Sequence, residues 1–236
     1  MKINIILFCL ITLFALTTVS VQNVNASHSD KQIVAKPTPD PLEPFNRTVF
    51  KFNEILDKFI LRPVAVTYRK IVPPKGRRSI RNAFDNLSNP VSALNSAFQG
   101  DFDKTSGYSW RFIINSTIGI FGLFDVAGEA GLYIEDNEDM GQTFGHYNIG
   151  SGFYIVLPVL GPSTFRDTIG NIGDGFLDPF SYIESTTYHV VGNSANGIVQ
   201  RERILDVTDG VYDSSFDPYA TIRSLYIQNR VRLINE

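Results

Sequence analysis

The sequence predicts a mainly α fold of short amphipathic helices with one β-hairpin. Three observations carry that prediction. Apolar residues recur at helical spacing from Pro44 onward. Proline or glycine interrupts the helical runs roughly every 10–20 residues. One stretch, 143–159, switches to two β-rich runs around Gly150-Ser151-Gly152.

Residues 1–26 read as a targeting segment. Lys2 precedes an apolar run from Ile3 to Val21, and Val24 and Ala26 place small residues at −3 and −1 of a cut between Ala26 and Ser27. This fits a secretory signal peptide. The alternative is an uncleaved anchor, because the run approaches the ~20 residues of a membrane span. Cys9 is the sole cysteine and follows Phe8, not the small residue that lipoprotein processing needs. It reads as part of the apolar run, which leaves the mature chain without an acyl anchor. Residues 27–39, "SHSDKQIVAKPTP", read as a flexible leader, and 40–236 as one domain.

Phe45, Val49, Phe52, Leu56 and Phe59 form one helical stripe, with Asn46, Arg47, Asn53 and Lys58 off it. Arg62-Pro63 punctuates, and Val64–Val72 predicts a second helix stopped by Pro73-Pro74. Residues 75–87 carry the cations Lys75, Arg77, Arg78 and Arg81. A separate helix is expected over Val91–Gln99, with Asn89 as cap, Pro90 in its first turn and Gly100 at its end. Asp101 caps the next helix, which runs through Trp110 into Asn115.

The stretch "FIINSTIGIFGLFDVAGEAGLYI" (112–134) is long enough to span a membrane. Asn115, Asp125, Glu129 and its glycines would be costly along one lipid-facing helix. It therefore reads as two short pieces meeting near Gly119–Gly122. Glu135, Asp136, Glu138 and Asp139 read as a solvated acidic loop. The hairpin is placed at Thr143–Ile149 and Phe153–Val159. Ser163 is expected to cap a helix bearing Phe165, Ile169 and Ile172. A loop follows over 173–183, then a long helix, Glu184–Leu205, and a last helix capped by Asp217 and running to Ile234.

Charged residues are 19% of the 236, against about 25% in typical domains, and 18 are Phe. Composition favours a well-packed soluble domain over one with apolar surface turned to lipid. A net charge of −3 makes nucleic acid a poor partner. No two histidines pair at i,i+3 or i,i+4, and there is no P-loop or G-x-S-x-G elbow. His146, in the expected first strand, reads as a structural histidine. No catalytic residue, metal site or cofactor is indicated.

The runs "DPLEPFNRTVFKFN" (40–53), "RPVA" (62–65), "DVAG" (125–128), "TFGHYNIGSGFYIVLPVLGPSTFRD" (143–167) and "DPYATIR" (217–223) resemble the MlaA family, also called VacJ. The resemblance spans nearly all of residues 40–223. It implies no enzyme but a ring of short helices in the periplasmic leaflet of the outer membrane, around an amphipathic channel. Phospholipid misplaced in the outer leaflet would pass through to a periplasmic carrier, MlaC, and on to an inner-membrane ABC transporter. A trimeric porin is the implied membrane partner.

Carried onto this sequence, the resemblance points to Asn46, Phe52 and Asn53 as ring and gate positions. It makes His146, Tyr147, Gly150, Gly152 and Tyr154 a flexible loop beside the pore. Asp125 and Glu129 are either buried structural hydrogen-bonders or pore-lining acids. Lys75, Arg77, Arg78 and Arg81 are either headgroup or partner contacts or a solvated helix face. The competing functions are a soluble periplasmic lipid-binding or structural protein and a lipid hydrolase; for the hydrolase the sequence offers no nucleophile–base pair.

Overall fold

The first helix turns much of its apolar stripe outward. In α1 (Glu43–Leu56), Phe45 and Phe52 are exposed, whereas Val49 of the stripe and Asn46 beside it are buried. The structure, a computed structural model, describes residues 38–235; the expected signal, its cut at Ala26 and Ser27, and the leader up to residue 37 lie outside them. α1 does not stop at Arg62-Pro63. It runs through a π-turn, Asp57–Leu61, into α2 (Arg62–Ile71). Pro63 has no N–H to offer the preceding turn, and the wider turn absorbs the missing bond. α2 ends where Val72 is extended ahead of Pro73.

α3 (Pro74–Gln99) is one 26-residue helix where two were expected. Pro90 lies inside it and removes one backbone bond. Asn86, Asn89, Ser92, Asn95 and Ser96 are buried along one side, and their side-chain bonds help carry the helix on through the proline. Gly100, at φ +80°, ends α3. Asp101 caps α4 (Phe102–Thr117) by accepting from the Lys104 N–H at 2.9 Å.

The 112–134 stretch divides as the sequence suggests. α4 stops at Thr117, a turn follows, and Asp125 caps the short α5 (Val126–Glu129). Ile120, Phe121 and Gly122 are all left-handed in that turn, at φ 52°, 55° and 83°. A β-branched residue there is strained.

The hairpin lies further along than expected. Residues 140–146 are helical (α6, Met140–His146), because Asp139 caps them through the Gln142 N–H at 2.8 Å. His146 therefore ends a helix and is not in a strand. Gly150–Gly152 leads from α6 into β1 (Tyr154–Leu157). β1 pairs antiparallel with β2 (Gly161–Thr164), Tyr154 opposite Thr164 and Leu157 opposite Gly161. Thr164, not Ser163, caps α7 (Phe165–Leu177), which extends into the expected loop and leads to a 3-10 turn, Pro179–Tyr182. Ser185 caps α8 (Thr186–Arg203). A helix that the sequence reading missed, α9 (Leu205–Ser214), precedes α10 (Pro218–Asn235), which Asp217 caps.

Packing among these elements closes on itself. α1 contacts β1, β2 contacts α10, α10 contacts α6, α6 contacts α3, α3 contacts α8, α8 contacts α2, and the π-turn joins α2 to α1. This cyclic order gives the ring-like arrangement of short helices and one hairpin. Ion pairs fasten it: Arg201 to Asp57 at 2.6 Å and Arg62 to Asp209 at 2.8 Å.

Polarity is reversed relative to an ordinary soluble domain. The main apolar cluster is small: Val49, Tyr154, Val156 and Tyr219, with Phe50 and Tyr226 against it. More polar and charged residues are buried than apolar ones among the described residues. Many large apolar side chains face outward, among them Phe59, Ile118, Phe121, Ile172 and Phe176. Exposed apolar patches of that extent mark contact with lipid or partner surfaces. No helix among the described residues is long and apolar enough to cross a membrane.

Candidate functional site

Three cavities lie along α3, linked by shared walls. The first, about 500 Å³, is lined by Arg69 of α2, Arg78, Arg81, Asn82 and Asp85 of α3, and Glu202 and Arg203 of α8. The second, about 170 Å³, shares Asn82, Asp85 and Arg203 with it and adds Asn86, Asn89, Arg111, Asn115 and Asp125. The third, about 400 Å³, shares Asn137 with the second. Its wall is mixed: Phe84, Leu87 and Val91 from α3, Phe180 and Tyr188, and the polar Asp174, Asp178, Asn193 and Asn196. A polar lining beside an apolar one suits an amphiphile, with carbon chains on one side and a headgroup on the other.

α3 holds this arrangement through its Asn/Ser stripe. Asn86 donates to Ser116 of α4 at 2.9 Å. Ser92 donates to the Glu138 carbonyl and accepts from the Glu138 N–H, both at 3.1 Å. Asn95 donates to Asp174 of α7 at 2.8 Å and accepts from Thr143 of α6 at 3.1 Å. Buried polar groups satisfied in this way fix neighbours rigidly, and each would be costly if orphaned. The sequence reading passed over the stripe. Its signal is there, as poor helix formers at 86, 89, 92 and 95 in "NLSNPVSALN".

Of the acids of 135–139, Glu135 is exposed as expected and Asp136 pairs with Arg232 at the surface, but the last two are built into the fold. Glu138 is buried and paired with Lys104 at 2.7 Å, and Asp139 pairs with Arg230 at 2.6 Å. Despite its burial, Asp139 is held below the usual carboxylate range by Arg230 and Gln142. Asp174, in the mixed-wall cavity, is pushed up to about 6 by burial, with the nearby Asp139 adding to the shift.

The geometry has close relatives. The MlaA lipoprotein family model matches residues 38–232. The chain belongs to the MlaA family. An uncharacterized protein of Rickettsia bellii is 40% identical over 81% of this chain and 75% of its own. The intermembrane phospholipid transport system lipoprotein MlaA of Escherichia coli K12 is 39% identical over 83% of this chain and 78% of its own. That of Haemophilus influenzae is 30% identical over 100% and 92%. A solved structure from work on the structural basis for maintenance of bacterial outer membrane lipid asymmetry superposes at TM-score 0.74. It is 39% identical and covers 83% of this chain and 98% of its own.

Three of the five motifs that carry the MlaA resemblance, 40–53, 143–167 and 217–223, meet at one joint. Asn46 donates to Asp40 at 2.8 Å and to the Tyr154 carbonyl at 3.0 Å, and accepts from the Val156 N–H at 2.9 Å. One turn-pair on, Asn53 donates to the Leu157 carbonyl at 2.9 Å and accepts from the Val159 N–H at 2.8 Å. The two amides satisfy the edge of β1 that β2 leaves open. Tyr219 donates to Asp40 at 2.5 Å, and Arg47 pairs with Asp217 at 2.8 Å.

The other expected site residues scatter. Phe52 is exposed beside that joint, and Tyr154 is buried within it. Asp125 lines the smallest cavity, bonded to Asn115 and Arg111, while Glu129 is exposed. His146 and Gly150 are exposed, and Tyr147 donates to the Phe98 carbonyl at 2.5 Å. Gly152 has φ +70° against Phe165. Arg77 and Arg81 reach Glu202, whereas Lys75 and Arg78 are exposed.

Proposed function

We propose that this chain works in intermembrane phospholipid transport at the outer membrane, removing misplaced phospholipid from the outer leaflet through the linked cavities along α3. The observation that carries this reading is the reversed polarity. A satisfied polar spine and mixed-wall cavities lie inside, while Phe45, Phe52, Phe59, Phe121 and Phe176 face out. Such a body is at home among acyl chains and offers a headgroup an internal route. Its relatives in Escherichia coli and Haemophilus influenzae are named for phospholipid transport.

In this reading lipid moves without a covalent step. It passes to a periplasmic carrier, MlaC, that feeds an inner-membrane ABC transporter, and a trimeric porin holds the body in the membrane. An export signal delivers the chain, and the apolar exterior, not an acyl chain, keeps it there. Phe52 and Asn53 act as a gate, Asn53 through its bonds to Leu157 and Val159 and Phe52 from the exposed side of the same helix, and the segment from His146 to Tyr154 moves with them.

The test is outer-leaflet phospholipid, measured by surface labelling of intact cells with and without the chain. The expected result is accumulation in its absence, reversed by re-expression. Equal labelling in both strains contradicts the transport role.

A further inference from the structure

Glu202 is 2% exposed and faces three arginines. Arg69 reaches it from α2 at 2.9 Å, Arg81 from α3 at 3.1 Å, and Arg77 from α3 closes on the same carboxylate. One buried carboxylate cannot neutralise three guanidiniums. Asp206 takes a second bond from Arg69 but is 83% exposed, so water screens it. Two further arginines line the same cavity. Arg203 has its nearest carboxylate, Asp85, at 3.9 Å, and Arg78 is in no ion pair among the described residues. Arg77 Nε is buried without an acceptor. The region holds a surplus of positive charge beside about 500 Å³ of open space.

We propose that this arginine-lined cavity docks the phosphate of a phospholipid headgroup at one end of the α3 route, and that it favours net-anionic phosphodiesters over zwitterionic ones. The proposal rests on the transport reading and adds a headgroup class to it. Guanidinium forks match phosphate oxygens in two-point contacts. The low-dielectric floor set by buried Glu202 strengthens the field of the surplus charge. A zwitterionic headgroup brings its own ammonium into that field and loses part of the gain. Asn82, Asp85 and Arg203 also line the next cavity along α3, so a docked headgroup would lie directly beside the rest of the proposed route.

Inorganic phosphate shares the charge but not the glycerol or the chains, and binding separates the two. The full chain in non-ionic detergent is titrated with monomeric dihexanoyl phosphatidylglycerol, dihexanoyl phosphatidylcholine and inorganic phosphate. Arg78→Gln/Arg203→Gln removes the two arginines that do not hold Glu202; Lys51→Gln/Lys58→Gln, two exposed cations outside the cavity, controls for lost charge. The expected result is tighter binding of phosphatidylglycerol than of phosphatidylcholine. The arginine double variant should lose about tenfold for the former with little change for the latter, and the lysine double variant should match the parent. Equal losses for both lipids, or none, overturn the docking site. Phosphate binding as tight as the lipid's overturns the headgroup assignment. Absence of any phospholipid binding by the parent chain overturns the transport reading itself.

Discussion

Asn46 binds the backbone at Tyr154 across 108 residues of sequence, donating to its carbonyl at 3.0 Å with its own side chain fully buried. The same amide accepts from Val156 and donates to Asp40. A helix thereby finishes the hydrogen bonding of a strand edge, and the ring closes at that point.

Asn46→Ala leaves a carbonyl and an N–H unsatisfied in a buried place and takes one donor from Asp40, which keeps Tyr219 and Arg223. The expected loss is about 2–3 kcal/mol, read from denaturant unfolding in detergent. Asn46→Asp should be at least as harmful, since it sets a second carboxylate against Asp40 and cannot donate to Tyr154.

Glu202→Gln should destabilise by about 3 kcal/mol, because it strands Arg69, Arg77 and Arg81 against one another. Removing Arg69 alone should cost less, since Arg77 and Arg81 still compensate the carboxylate. Thermal unfolding of the two variants side by side gives the order.

Asp174 sets a pH dependence. Burial raises its carboxyl to about 6, above its unfolded value, so the folded state binds the extra proton between about pH 4 and 6. Stability from this group falls as pH rises through that window and stays low above it. A shift of about two units is worth ~3 kcal/mol at most, and partial solvent contact reduces it to about 1–2. Asp174→Asn should therefore stabilise the chain at pH 7.5 and change little at pH 4. Asp139 and Asp167 are depressed, so their contributions are lost only below about pH 4 and do not mask the effect.

Phe121 is 81% exposed in a left-handed turn beside Ile120. Strain of about 1–2 kcal/mol per residue is tolerated there for side chains that the fold leaves largely exposed. Phe121→Ser should leave the unfolding midpoint nearly unchanged while weakening retention in the outer-membrane fraction, measured by fractionation.

The helices were legible in the sequence where caps and periodicity coincide. Asp101, Asp217 and the break near Gly119–Gly122 all lie where the residues put them. The hairpin was misplaced because Thr143, Tyr147 and Ile149 have strand propensity, and a cap at Asp139 with packing on α7 and α10 overrides it. Pro90 read as a helix start because local rules do not include the tertiary bonds of Asn86 and Asn95. The site was least legible. Reading apolar stripes as inward faces hides a protein whose inner faces are Asn, Ser and paired charge. Asn46 and Asn53, seven residues apart, and the stripe from Asn86 to Asn95 carry that pattern in plain sight.

The central claim is that lipid travels along α3. Ser88 lines the mixed-wall cavity of about 400 Å³, and Ser88→Trp would fill much of it. With the variant folded and present in the outer membrane, surface labelling of intact cells should show outer-leaflet phospholipid at the level of cells lacking the chain, and Ser88→Ala should match the parent. Normal labelling with Ser88→Trp would contradict transport by this route.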